Sequence, residues 1–331
     1  MMFINTYLYY LFKSILKSFN NNNMKKIAFC FLIYDIINHE ELWNQFFLNV
    51  DKNKYNIYIH YKYNVPLTYF EKYKLAKIIE TAYADISLVK AQDLLLENAL
   101  KDENDLFIFL SNSCIPLKSF NYVYNILNEN FSYFNVSSQT QCFPRCNKTL
   151  EYMDKQYIQK ASQWCILNQK HAKLLLKNQN DYIKWFNYKE TVPDEHCYIT
   201  FFYKNNLQNE LIITMNESIN ATTFVNWEGT SYKYPSKHGL KNYQIISHAE
   251  LIYLLNSKSL FGRKFNKECK SMINNQIYIE NITHGNIFIK SFTENLIILI
   301  VLIKKILLQH IEKLRCVTVN IFNEMRLLIN R

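Results

Sequence analysis

The feature that most narrows the possible folds begins at Lys25, where short apolar runs of β type alternate with longer segments of helical periodicity. KIAFCFLI, YNIYIH, LFIFLS, QWCIL and TTFVNW are short and rich in β-branched and aromatic residues, as strands are. EELWNQFFLNV, SLVKAQDLLLENALK, SFNYVYNILNEN and NQKHAKLLLKN carry apolar residues three and four apart, the spacing of a helix with one buried face. This alternation calls for crossover connections and predicts an α/β domain around a mostly parallel sheet.

The pattern divides the chain into an N-terminal extension over 1–24, the α/β domain over 25–270 and a C-terminal helical tail over 271–331. The extension holds an apolar-aromatic stretch broken by Lys13 and Lys17, shorter than the roughly 20 residues of a membrane-spanning helix. A weak signal anchor and a start at Met24 are both open. In the tail, the uninterrupted apolar run over 296–303 is also too short to span. It reads as an amphipathic or packing helix, with membrane association as the other reading.

Composition excludes several chemistries. With 4 glycines among 331 residues, neither G-x-x-x-x-G-K-S/T nor G-x-G-x-x-G occurs, which argues against P-loop and ordinary dinucleotide sites. H-E-x-x-H and G-x-S-x-G are absent as well. The 8 cysteines form no C-x-x-C pair, and several lie inside apolar runs, so buried free thiols are expected rather than a zinc site. The formal net charge of +10 suits an anionic partner, but no block of five basic residues appears, and nucleic acid is disfavoured. No two aspartates are spaced D-x-D, so a bound nucleotide diphosphate would need lysine or arginine to offset its charge.

In TVPDEHCYITFFY, Pro193, Asp194 and Glu195 precede an apolar run and fit a helix start, with Asp194 as the cap and Glu195 complementing the helix dipole. A carboxylate in that position is also well placed to face a cleft as a general base. Spacing alone leaves both readings open.

The order of motifs settles more. KIAFCFLI, YNIYIHYK, ADISLVKAQDLLLENAL, FIFLSNSCIPLKSFNYVYNIL, KASQWCILNQKHAKLL, VPDEHCYITFF, TFVNWE and SLFGRKF together resemble the core-2/I-branching β-1,6-N-acetylglucosaminyltransferase family, glycosyltransferase family 14, especially its plant-type members. The resemblance covers roughly 25–265. It implies a GT-A-like, Rossmann-type fold and an inverting, metal-independent transfer of a sugar from a UDP-sugar donor to a glycan or glycoprotein acceptor. The implied donor is UDP-N-acetylglucosamine. UDP-xylose is an alternative within the family, and a catalytically inactive glycan-binding member is another. Family members are commonly Golgi membrane proteins, so a secretory, membrane-associated location is implied, with a cytoplasmic one otherwise.

Residue by residue, the resemblance makes Glu195 the general base. Lys264, and more weakly Lys241, would stabilise the leaving UDP, with Arg263 and Lys237 as neighbours able to share the task. Lys241 stands where the best-known members have arginine. His60 maps to a strand end lining the nucleotide site, and Ser87 to a loop facing the donor. Leu88 replaces an arginine of animal members. Asn112 and Ser113 map close to the donor and acceptor sugars, and Asp194 is placed beside them. Trp164 and Trp227 are candidates for stacking on a sugar ring, with core packing as the competing role. His196 is expected to take no part in proton transfer. No metal or other cofactor is expected.

Overall fold

The computed structural model describes residues 24–137, 145–188, 191–215, 220–226 and 242–271. Contacts divide the chain into Met1–Ile279 and Glu280–Arg331, and every described residue belongs to the first unit. The N-terminal stretch before Met24, the tail beyond 271, Lys237, Lys241, Trp227 and Cys142 lie outside the described residues.

Strand β1 (Ile27–Ile33) is buried along its whole length and sits inside the main sheet. It pairs in parallel with β2 (Tyr55–Tyr61) on one side and β3 (Leu106–Ser111) on the other. Helix α1 (Glu40–Phe46) connects β1 to β2, and α2 (Ile86–Leu100) connects β2 to β3. The sheet continues through β6 (Ile166–Asn168), β5 (Ser132–Val136) and β7 (Leu211–Met215), in the order β2-β1-β3-β6-β5-β7. β6 runs antiparallel to both neighbours, whereas β5 and β7 are parallel, so the sheet is mixed and mostly parallel.

Because side chains alternate across a strand, β1 supplies two cores at once. Ala28, Cys30 and Leu32 pack with α2 and with helices α4 (Gln169–Lys177), α5 (Gln179–Phe186) and α6 (Cys197–Lys204). Ile27, Phe29, Phe31 and Ile33 pack on the opposite side against α1 and α3 (Phe120–Ile126). Helices on both faces explain why β1 reads as continuously apolar, because a parallel strand covered on both sides needs no polar face. The six described cysteines, Cys30, Cys114, Cys146, Cys165, Cys197 and Cys269, are all buried and free.

A second, three-stranded sheet joins β4 (Ile115–Pro116), β9 (Phe261–Arg263) and β8 (Thr223–Val225), with β9 central. The short helix α7 (His248–Asn256) precedes β9. Gly262 lies opposite Ile115, and a Cβ there would stand 3.2 Å from both Leu117 Cδ1 and Phe265 Cε2. Glycine thus permits the Leu117 and Phe265 side chains to approach the β9 backbone closely. The Phe265 amide then donates to the Ser113 carbonyl at 2.9 Å, and Asn38 Nδ2 donates to the Phe265 carbonyl at 2.8 Å.

Several elements differ in extent from the sequence reading. The helix expected over EELWNQFFLNV ends at Phe46, and the strand expected over QWCIL begins only at Ile166. β5, β7, α5 and α7 were not apparent in the sequence pattern. β5 and β7 take their pairing from strands remote in sequence, so local periodicity carries little sign of them.

Candidate active site

The chain passes from β1 to β2 on one side and returns to β3 on the other. This leaves a crevice between the carboxyl ends of β1 and β3, the place where open α/β sheets bind ligands. A cleft of about 450 Å³ opens there. Leu32, Ile33 and Tyr34 line it from the end of β1, Ser111 and Asn112 from β3, and Arg263 and Lys264 from the end of β9. Thr81 to Ala84, ahead of α2, form another wall, and Val192, Asp194 and Glu195 close the site beside Gln163 and Trp164.

Two carboxyls and two cations therefore share one cleft. Asp194 and Glu195 lie on a short 3₁₀ turn, Pro193–Glu195, whose first position Pro193 suits. The turn is fastened by its backbone, since the Glu195 amide donates to the Val192 carbonyl at 2.9 Å and the Ala161 amide to the Glu195 carbonyl at 2.8 Å. Glu195 Oε2 is 3.2 Å from Lys160 Nζ. Asp194 Oδ1 is sealed from solvent with no hydrogen-bond partner. Burial, followed by the Glu195 charge, pushes the Asp194 pKa up to about 7.

Arg263 and Lys264 face these carboxyls. The Arg263 guanidinium carbon stands 4.6 Å from the Trp164 ring centroid, its Nε has no hydrogen-bond partner, and burial lowers its pKa. Burial, and then the Arg263 charge, bring Lys264 down to about 8. Among the described residues, no carboxylate lies at salt-bridge distance from either cation, and two such cations beside an open cleft suit an anion. Among the described residues, no group of three or more His, Cys, Asp and Glu side chains could hold a metal ion.

The residues expected from sequence fall into distinct places. Glu195, Asp194, Arg263, Lys264, Asn112, Trp164 and Leu88 all line the cleft. Asp194 does not cap a helix: α6 starts after His196, with no side-chain cap, and the Asp194 carboxyl points to the cleft lining instead. Ser87 lies inside the first turn of α2 rather than in a loop. Its amide donates to the N-cap Asp85 at 2.8 Å, and its hydroxyl accepts from the Ala82 amide at 3.0 Å, so it shapes the wall from outside the lining.

His60 is fully buried and also outside the lining. Its Nε2 accepts from the Ile79 amide at 2.9 Å, and burial lowers its pKa to about 4, which fixes a neutral ring that anchors the segment leading to Thr81. Ser113 is buried behind Asn112, its hydroxyl 3.1 Å from that of Ser111. His196 is buried against Phe186 outside the cleft lining, with Nδ1 2.7 Å from the Gln159 carbonyl.

Lys160, Tyr34, Lys62, Tyr83 and Gln163 were not anticipated. Tyr34 and Lys62 follow directly on β1 and β2, and a strand's carboxyl end is a signal that could have found them. Lys160 precedes the SQW motif by a single residue, but nothing in its spacing announces a partner 35 positions away.

Fold and cleft together define an α/β protein that presents paired carboxyls and paired cations at the carboxyl ends of parallel strands. The chain belongs to the Core-2/I-Branching enzyme family, whose model matches residues 27–253. Glycosyltransferase BC10 of Oryza sativa subsp. japonica is 26% identical over 184 residues, covering 52% of this chain and 43% of that protein. The chain thus spans less than half the length of this curated relative. Among solved structures, a glycosyltransferase involved in glycosylation of the major capsid of PBCV-1 is similar at TM-score 0.35 and 10% identity, covering 78% of this chain and 99% of that one. The galactosyltransferase LgtC, in complex with donor and acceptor sugar analogues, is similar at TM-score 0.38 and 7% identity, covering 78% of this chain and 95% of the other.

Proposed function

We propose that this protein is an inverting glycosyltransferase that moves a sugar, N-acetylglucosamine in the first instance, from a UDP-sugar to a hydroxyl of a glycan or glycoprotein without a metal ion. The observation that carries this reading is the presence of Glu195, Lys264 and Arg263 in one cleft at the carboxyl ends of β1 and β3. Membership of the Core-2/I-Branching enzyme family supports it.

In this mechanism the acceptor oxygen attacks C1 of the donor sugar, Glu195 takes the hydroxyl proton, and the bond from C1 to the diphosphate oxygen breaks. Attack from the face opposite the nucleotide inverts the anomeric centre to a β-linkage. Negative charge grows on the departing diphosphate, and Lys264 with Arg263 are preorganised to meet it, the role a metal ion plays elsewhere. Asn112 and Trp164 bound the space for the sugars. The secretory, membrane-associated location expected from the family is part of the proposal. Among the described residues no helix is long and apolar enough to cross a membrane.

The test is a donor screen with UDP-N-acetylglucosamine, UDP-xylose and other UDP-sugars, reading UDP release with and without EDTA. Turnover that survives EDTA and is lost in Glu195→Gln supports the reading. Wild-type protein that neither turns over nor binds any UDP-sugar refutes it, and strict Mn²⁺ dependence refutes the metal-free mechanism.

A further inference from the structure

Lys160 lies outside the cleft lining, yet it makes the one ion pair found for Glu195 among the described residues, Nζ to Oε2 at 3.2 Å. Both side chains are mostly shielded, 18% and 29% exposed. Lys160 does not reach this position by chance of rotamer alone, since its backbone is stitched to the same turn. The Ser137 amide donates to the Lys160 carbonyl at 2.9 Å, the Ala161 amide to the Glu195 carbonyl at 2.8 Å, and the Ser162 amide to the Asn135 carbonyl at 2.8 Å. An isolated bridge between Val136 and Ala161 continues this docking onto the end of β5. The segment carrying Lys160 and the turn carrying Glu195 are therefore one hydrogen-bonded unit.

We propose that Lys160 is a positioning residue for the reaction, holding the Glu195 carboxylate by its ion pair in one orientation toward the acceptor hydroxyl. The inference rests on the reading of Glu195 as the base. Its physical need comes from Asp194, an adjacent carboxyl with a sealed, unpartnered oxygen. Two carboxyls in a poorly hydrated site tend to share one proton, and a base that already holds a proton cannot take another. A fixed cation 3.2 Å from Glu195 favours the charged carboxylate there over that of Asp194, whose Oδ1 has no partner.

Other groups near the turn do not supply this function. Arg263 attracts both carboxyls through space and Lys264 attracts Glu195, but neither makes a salt bridge with Glu195, and in the proposed reaction they serve the diphosphate. From α2, which packs on the turn, Asp93 is occupied by the hydroxyls of Tyr182 at 2.9 Å and Tyr198 at 2.6 Å. His196 is held neutral by burial, which brings it to about 4.

The experiment compares wild type, Lys160→Met and Lys160→Arg in the full chain. Two readouts are used: the pH profile of UDP-sugar turnover, and the titration of the Glu195 side-chain carbon by NMR with labelled glutamate, assigned through Glu195→Gln. In Lys160→Met the acid limb is expected to move up by about one pH unit, a tenfold loss of kcat on that limb, with donor KM within about twofold. Lys160→Arg is expected to restore most of the difference. A folded Lys160→Met protein whose acid limb and Glu195 titration both coincide with wild type overturns the proposal. A shifted Glu195 titration with an unshifted activity profile also overturns it, since the pairing then has no bearing on the reaction. Absence of turnover in wild type removes the reading of Glu195 as the base, and is told apart by the NMR titration, which still reports the pair.

Discussion

Arg263 rests on the face of Trp164, with its guanidinium carbon 4.6 Å from the ring centroid, so the wall of the cleft stores a cation on an aromatic surface. Trp164 is only 5% exposed, and its ring serves Arg263 first, which limits the face it can offer to a sugar. A partly desolvated cation over tryptophan is worth on the order of 1–2 kcal/mol. Trp164→Phe keeps a weaker ring and is expected to reduce UDP affinity several-fold with modest loss of stability. Trp164→Ala also leaves a cavity and is expected to cost about 3–5 kcal/mol of stability. Calorimetric UDP titration and urea melts of the two variants check both outcomes.

Removing the base should separate chemistry from binding. Glu195→Gln keeps the shape of the side chain and cannot accept the acceptor proton. General-base catalysis contributes roughly 10²–10⁴-fold, so kcat is expected to fall by about that factor while UDP binding stays within a few-fold of wild type. Single-turnover transfer and UDP titration, run on the same preparation, check it.

The affinity for UDP should itself depend on pH. Lys264 is brought down to about 8, by burial first and by Arg263 second, and only its charged form attracts a diphosphate. Binding is therefore strongest below pH 8 and weakens as pH rises through that value. Lys264→Arg, which stays charged, should flatten the alkaline fall, whereas Lys264→Met should bind weakly at every pH. UDP titrations from pH 6 to 9.5 test the sign.

Asp93 and Asp194 should each contribute stability that falls as pH rises from about 4 toward 7, opposed over the same range by His60 and His196, which burial lowers to about 4. Asp93 and Asp194 are both pushed up to about 7, burial being the largest cause in each, from an ordinary value of 3.8. The folded state thus holds protons that the unfolded chain has released, and stability present below pH 4 is progressively lost as the folded groups ionise. Asp93 Oδ2 has no hydrogen-bond partner, while Oδ1 accepts from Tyr182 and Tyr198. Asp93→Asn is expected to remove the Asp93 contribution, so that stability at pH 7.5 relative to pH 4.5 is higher in the variant than in wild type. Urea unfolding of wild type and variant at pH 4.5 and 7.5 gives the comparison.

Gly262 should resist substitution. A methyl group there meets Leu117 and Phe265 side chains at 3.2 Å, and forced repacking typically costs about 1–3 kcal/mol. Because the next two residues are Arg263 and Lys264, Gly262→Ala is expected to weaken UDP binding together with stability. A variant that loses neither in a melt and a UDP titration would show that β9 has room to shift.

The frame of the fold is legible in the residues alone. Alternating runs gave β1, β2, β3 and α2 near their observed places, because a buried parallel strand must be apolar throughout and a covering helix must repeat at three and four. Motif order identified the family and picked out Glu195, Asp194, Lys264 and Trp164, all of which the fold brings to one cleft. Local pattern misassigned Asp194 as a cap, since capping chemistry and a cleft-facing carboxyl use the same residue types ahead of a helix. The family resemblance set Ser87 in a loop and His60 at the site, although both lie outside the cleft lining and hydrogen-bond to backbone that shapes its wall. The pairings that give these groups their character arise only when distant segments pack together. Arg263 on Trp164 and Lys160 on Glu195 are contacts across about 100 and 35 positions of chain, respectively, and burial, which sets the proton affinities of Asp194 and Lys264, is a property of the packed fold that no local spacing encodes.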